Sequence, residues 1–225
     1  MPLDYTEIEL TPEDFASYRK KGYWISPVLF NDEEVCSMRL ELERICAGER
    51  DYDGFFWLSQ PNFGTDDPAV RQVNNGWWIN KVMRLTVKSP VIGYIGAQLM
   101  KTKEVRIWHD QMLWKPGLGV TGESDLSNNI GWHQDYAHWQ CANTTNFCTA
   151  WVALQDTDEF NGCMQLVTGS HHWGLRHDAN TFGEKDLEVL EAKYCPENNE
   201  WNADPCVLKA GQASFHHALT YHGSG

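Results

Sequence analysis

No stretch of this chain is long and apolar enough to cross a membrane as a helix. The best run, Val91-Ile92-Gly93-Tyr94-Ile95-Gly96-Ala97, falls far short of the roughly 20 residues a bilayer requires. The first residues, Met1-Pro2-Leu3-Asp4-Tyr5-Thr6-Glu7, carry no basic region and no apolar core, so they do not read as a secretory leader. Basic residues are scarce: 18 Lys and Arg face 31 Asp and Glu, for a net charge of −13. Such a surface is a poor partner for nucleic acid or anionic membranes, and neutral or cationic small molecules are weakly favoured as substrates. There is no Cys-x-x-Cys, and the cysteine count is odd, at seven. A disulfide framework and a zinc site built on cysteines are therefore both disfavoured, and free thiols in a reducing, cytoplasmic compartment are expected. No repeat, low-complexity tract or interdomain linker interrupts the chain.

What is present is a chain able to build a core, with 42% hydrophobic residues and eleven Trp among its 225 residues. Its length suits one domain spanning 1–225. The first hundred residues read mostly as helix. Thr11-Pro12-Glu13-Asp14 offers an N-cap, a proline at the first helical position and acids in the first turn, and Gly22 can end that helix. Tyr23 to Leu29 reads as a strand that sits at an edge or end because of Pro27. Asn31 caps a second helix with Val35, Met38, Leu42 and Ile45 at helical spacing. Asp51–Asn75 has the texture of a loop, and a further helix is expected over about Ser89–Leu99. After residue 103 short strands dominate: Glu104–Trp114, Phe147–Leu154, Met164–Val167 after a turn at Asn161-Gly162, Cys206–Leu208, Ala213–Phe215 and Leu219–Tyr221. That pattern predicts an all-β sandwich or barrel core.

The chemistry lies in His133-Gln134-Asp135 and in His222, eighty-nine positions later. Two imidazoles and one carboxylate on one face of a metal ion are the facial triad of non-haem Fe(II) oxygenases. His-x-Asp alone is weak, since a chain with nine His and fifteen Asp holds on the order of one such pair by chance. Its flanks, Ile130-Gly131-Trp132 and Tyr136, suggest a strand or strand edge, and on a strand His133 and Asp135 point to the same side and Gln134 to the other. His216 and His217 compete with His222 for the third position. Trp132, Tyr136, His138 and Trp139 either line an aromatic pocket or fill the core, and His109 lies near the same strands.

Several stretches together carry a family likeness: Trp132-His133-Gln134-Asp135, Thr149-Ala150-Trp151, Asn161-Gly162-Cys163-Met164-Gln165-Leu166-Val167-Thr168-Gly169-Ser170-His171, and Phe215 through Gly225. In their order and spacing the chain resembles the phytanoyl-CoA dioxygenase family of Fe(II)/2-oxoglutarate-dependent oxygenases. The resemblance implies a double-stranded β-helix, a cupin-like jelly roll over 101–225, buttressed by the helices of 1–100. It implies Fe(II), 2-oxoglutarate and O2, with decarboxylation of 2-oxoglutarate to succinate and hydroxylation of a small organic molecule. His133, Asp135 and His222 then match the iron ligands, and the His-Gly-Ser-Gly context moves the third position to His222. Trp151 and Ser224 match positions that contact 2-oxoglutarate, Lys81 resembles a lysine that reaches it, and Gln111 is a further contact. Related halogenases lack the carboxylate, so Asp135 favours hydroxylation.

In that family an Arg downstream of the distal His pairs with the far carboxylate of 2-oxoglutarate. Here nothing follows Gly225, so the expectation is that one or more closing strands are missing from this sequence. Alternatives without 2-oxoglutarate are another metal-dependent cupin-like enzyme or a non-catalytic jelly-roll binding protein.

Overall fold

The computed structural model describes residues 8–52, 70–116, 128–176 and 184–225. Most of the Asp51–Asn75 segment, and His177, lie outside them. The elements run α1 (Pro12–Lys21), β1 (Tyr23–Ile25), α2 (Asp32–Cys46), β2 (Arg71–Asn74), α3 (Lys81–Val87), α4 (Pro90–Leu99), β3 (Gln111–Trp114), β4 (Ile130–His133), α5 (Asp135–His138), β5 (Cys148–Val152), β6 (Gln165–Val167), α6 (Leu187–Tyr194), β7 (Ala203–Pro205), β8 (Ala213–His217) and β9 (His222–Ser224). Sheet strands form the centre and helices flank them. None of the described helices is long and apolar enough to cross a membrane.

The N-terminal helices begin where their caps stand. Thr11 and Asp14 exchange hydrogen bonds in a capping box, and Gly22 closes α1 in the left-handed region at φ 85°. Asn31 and Glu34 do the same for α2. Val35, Met38, Leu42 and Ile45 then fall on one buried face of α2. They pack with Met83 of α3 and with Val91, Ile95 and Leu99 of α4. The same cluster takes in Phe215 of β8, with Cys148, Ala150 and Val152 of β5 packed against it, so the helices cover one face of a sheet.

That sheet has the order β1-β8-β5, all antiparallel. Its other face presents Tyr23, Ile25 and Trp151 to Met164, Leu166, Cys206 and Leu208. The latter group includes β6 of a second antiparallel sheet, ordered β4-β9-β6-β7. The two sheets therefore face one another across a shared interior. The outer face of the second sheet is covered by α6, where Trp132 and Val167 pack with Leu190, Tyr194 and Tyr221.

Several expected boundaries move, each because a ladder partner decides a strand. Of Glu104–Trp114 only Gln111–Trp114 pairs, with β2; Val105, Ile107 and Trp108 upstream are exposed despite their β propensity. β2 itself falls within the stretch expected to be loop. β1 ends at Ile25, after which the N–H groups of Leu29 and Phe30 both reach the Gly211 carbonyl. Leu219–Tyr221 is a turn rather than a strand: Thr220 N–H bonds back to the His217 carbonyl and Tyr221 N–H to Ser170 Oγ. The strand expected at Cys206–Leu208 lies just upstream at Ala203–Pro205, and Leu208 makes a single bridge to Thr157.

Candidate functional site

The site forms where β4 and β9 pair. Their register sets His133 opposite His222, and Ile130 opposite Ser224. Both histidines sit at strand ends and are buried, as is Asp135. Asp135 departs from the sequence expectation. It is not on the strand but is the first residue of the short helix α5. The i, i+2 geometry survives because Gln134 is extended, at φ −114° and ψ 127°. Gln134 does face away: its amide donates to the Gly174 and Leu219 carbonyls and accepts from Arg176 N–H.

His133 Nδ1 donates to the Gly131 carbonyl at 2.8 Å, and His222 Nδ1 to the Thr220 carbonyl at 2.9 Å. A carbonyl only accepts, so each ring is the Nδ1–H tautomer with its lone pair on Nε2. Those Nε2 atoms lie 3.9 Å and 3.5 Å from Asp135 Oδ1. One ligand atom from each of the three residues falls within 4.8 Å of the others, which is the spacing of a single bound ion. Asp135 Oδ2 is occupied otherwise. Thr149 Oγ1 donates to it at 2.6 Å and His216 Nε2 at 3.3 Å.

Burial holds both His133 and His222 below the ordinary imidazole range, His222 well below it, with the neighbouring ring of His133 adding to the effect on His222. Burial opposes ionisation of Asp135, but His222 and the His216 hydrogen bond outweigh it and hold the carboxyl well below its usual range. Two neutral imidazoles around one buried carboxylate leave a net negative charge in a dry site. That arrangement suits a divalent cation.

Strand alternation separates His216 from His217. His216 points into the interior beside His222, with ring centroids 4.5 Å apart. His217 lies on the other face of β8, against His171 at 5.6 Å. Trp132 and Tyr136 turn out to fill the core: Trp132 packs under α6, and Tyr136 packs with Ala218 and Leu219 and donates its hydroxyl to the Ala142 carbonyl. His138 and His109 flank the site instead. The His138 ring is 6.3 Å from His133, and His109 stands edge-on to Trp139 at 5.0 Å. Burial lowers the His109 pKa, with Asp135 pulling the other way.

Of the expected cosubstrate contacts, Trp151 shares the inner face of β5 with Thr149, and Ser224 shares the inner face of β9 with His222. Lys81 is exposed at the first position of α3, its N–H on Asp51, and Gln111 is exposed on β3 opposite Asn74. One cation went unrecognised in the sequence. Lys115 Nζ, partly buried, donates to Ser224 Oγ at 2.9 Å and to the Gly225 carbonyl. Burial, helped by Lys185, pulls its pKa down to about 8. The Thr149 hydrogen bond to Asp135 was equally invisible, because it joins β5 to the start of α5 and only the folded chain brings the two together.

With this geometry in hand, the similarities to known proteins become informative. Mouse peroxisomal phytanoyl-CoA dioxygenase is 23% identical over 96% of this chain. Ectoine dioxygenase of Bordetella bronchiseptica is 24% identical, over 96% of this chain and 70% of its own length. The chain spans 64% of the mouse enzyme and 65% of its rat counterpart. Among solved structures, the non-haem alpha-ketoglutarate-dependent carbocyclase SnoK matches with a TM-score of 0.71 at 23% identity, over 100% of this chain and 80% of that one. The epimerase SnoN, solved with Fe3+, alpha-ketoglutarate and nogalamycin RO, matches at 0.70 and 25% identity, over 95% and 76%. The family profile described as phytanoyl-CoA dioxygenase (PhyH) matches residues 18–225. The chain belongs to the phytanoyl-CoA dioxygenase family.

Proposed function

We propose that this protein is an Fe(II)- and 2-oxoglutarate-dependent oxygenase that hydroxylates a small organic molecule. The observation that carries the reading is the convergence of His133 Nε2, His222 Nε2 and Asp135 Oδ1, buried and in the protonation states a metal requires. Two neutral nitrogens and one carboxylate suit Fe(II) and leave the opposite face open. Bound there, iron with 2-oxoglutarate and O2 supplies the oxidising power, and the protein's part is to orient and shield. We read the two facing sheets as a double-stranded β-helix and the whole as one domain.

Each side chain then has a task. His133, Asp135 and His222 hold the ion. Ser224 and Trp151, on the inner faces of β9 and β5, meet 2-oxoglutarate. Lys115, next to Ser224, brings positive charge to the same end of the interior. Lys81 and Gln111 lack comparable support. His109, His138 and Trp139 stand where a substrate reaches the ion, and their mixture of ring faces and ring nitrogens suits a neutral or cationic organic molecule.

The test is an anaerobic titration of the Fe(II)-loaded protein with 2-oxoglutarate, followed by its visible charge-transfer absorption. Appearance of that band, with succinate release on admitting O2, is the expected result. Iron uptake without the band defeats the 2-oxoglutarate reading and favours another metal-dependent enzyme on the same fold. Turnover that epimerises or cyclises a substrate, without adding oxygen to it, overturns hydroxylation alone.

A further inference from the structure

Asp135 offers its two oxygens to different partners. Oδ1 faces the Nε2 atoms of His133 and His222, at 3.9 Å and 3.5 Å. Oδ2 receives Thr149 Oγ1 at 2.6 Å and His216 Nε2 at 3.3 Å. Both donors come from the sheet opposite the histidines: Thr149 and His216 are register partners on β5 and β8. His216 is only 1% exposed, and its Nδ1 has no hydrogen-bond partner among the described residues. An ionised carboxylate only accepts, so the His216 proton sits on Nε2, aimed at Asp135.

From this geometry we infer that Thr149 and His216 are positioning residues that lock Asp135 into binding its metal through Oδ1 alone. The inference rests on the metal-site reading above. A carboxylate is free to bind an ion through one oxygen or two. Taking up both lone-pair directions of Oδ2 with donors from a rigid two-strand ladder removes the second mode. A coordination position that a bidentate Asp135 would occupy then stays open for an incoming ligand. His216 therefore acts through Asp135 and does not itself ligate. This role accounts for a third buried histidine beside the site, and for a threonine turned inward from a half-buried strand.

The experiment uses Co(II) as the probe, because its visible d–d absorption changes with coordination number and geometry and it binds N/O sites at least as well as Fe(II). Four variants of the whole chain are compared with the wild type. T149V and H216L remove a donor; T149S and H216Q keep one. We expect T149V and H216L each to weaken Co(II) by about ten-fold, the lower end of what partners of a metal ligand contribute. Both should shift the Co(II) spectrum toward higher coordination number and weaken 2-oxoglutarate binding to the Co(II) protein. T149S and H216Q should restore spectrum and affinity. Should H216L fail to fold, T149V alone carries the test, since Val is nearly isosteric with Thr.

A wild-type spectrum and unchanged 2-oxoglutarate affinity in T149V overturn the inference. So does abolition of Co(II) binding by H216L with T149V unaffected, which would make His216 a ligand. If the wild type takes up Co(II) but not 2-oxoglutarate, the oxygenase reading fails, and the spectra of the four variants still decide the positioning role. No Co(II) uptake by the wild type overturns both.

Discussion

Gly223 lies between the distal histidine and Ser224, and replacing it with alanine tests whether strand spacing sets the metal site. A Cβ at this position would sit 2.8 Å from the Ile130 carbonyl oxygen, 3.1 Å from Trp132 Cε3 and 3.2 Å from Trp132 N, all on β4. Two of those atoms are backbone, and the Trp132 ring is only 1% exposed under α6, so nothing can swing aside. Restoring ordinary contact requires β4 and β9 to part by about 0.6 Å, and overpacking of this kind costs about 1–3 kcal/mol. For a chain of this size, 2 kcal/mol lowers the melting temperature by about 4–8 °C. The same displacement separates His133 from His222, which face each other in that ladder. Misplacement by 1 Å can cost about 100-fold in a preorganised site, so about ten-fold weaker metal binding is expected from roughly half that shift. Calorimetric titration with Co(II) and a thermal melt of G223A measure both. A variant that melts and binds as the wild type does would refute the claim that this glycine exists for close strand approach.

Three further outcomes follow from other parts of the structure. Asp135→Asn keeps the shape but removes the buried charge, and should weaken metal binding by more than ~100-fold, beyond the usual range for residues that only support a ligand; metal content by elemental analysis reads it. His171 and His217, each pulled down to about 4 by burial and then by neighbouring histidines, stay neutral in the fold while the unfolded chain takes up protons near its ordinary imidazole pKa. Stability is therefore complete above about pH 6.5 and falls as pH drops toward 4, by a few kcal/mol at most once exposure is allowed for; melts across that range should show a shallower slope in H171Q and lose it in the H171Q/H217Q double variant. All seven cysteines are free, with Cys36 and Cys141 exposed and Cys46, Cys163 and Cys206 buried. A thiol reagent should modify Cys36 and Cys141 quickly and the buried three only on unfolding, as mass spectrometry of the peptides would report.

What could be read from the sequence was whatever short-range chemistry decides. The caps at Thr11 and Asn31, the proline start at Pro12 and the apolar face of α2 are made by residues close together in the chain, and the elements appear where those signals stand. The ligand types, and the two-residue spacing of His133 and Asp135, were equally local. Strand limits were not. β2, β7 and the end of β1 depend on which ladder partner is available, and exposed Val105, Ile107 and Trp108 prove that β propensity without a partner makes no strand. Spacing likewise did not separate His216, His217 and His222; in the fold β8 turns His216 inward and His217 outward, while β9 sets His222 against His133. Thr149 on Asp135, and Lys115 on Ser224, are 14 and 109 residues apart in the chain. Sequence determined which donor atoms this protein owns. Only the packing of two sheets decided which of them come within reach of one another, because hydrogen-bond register between distant strands is a property of the assembled ladder and not of either strand alone.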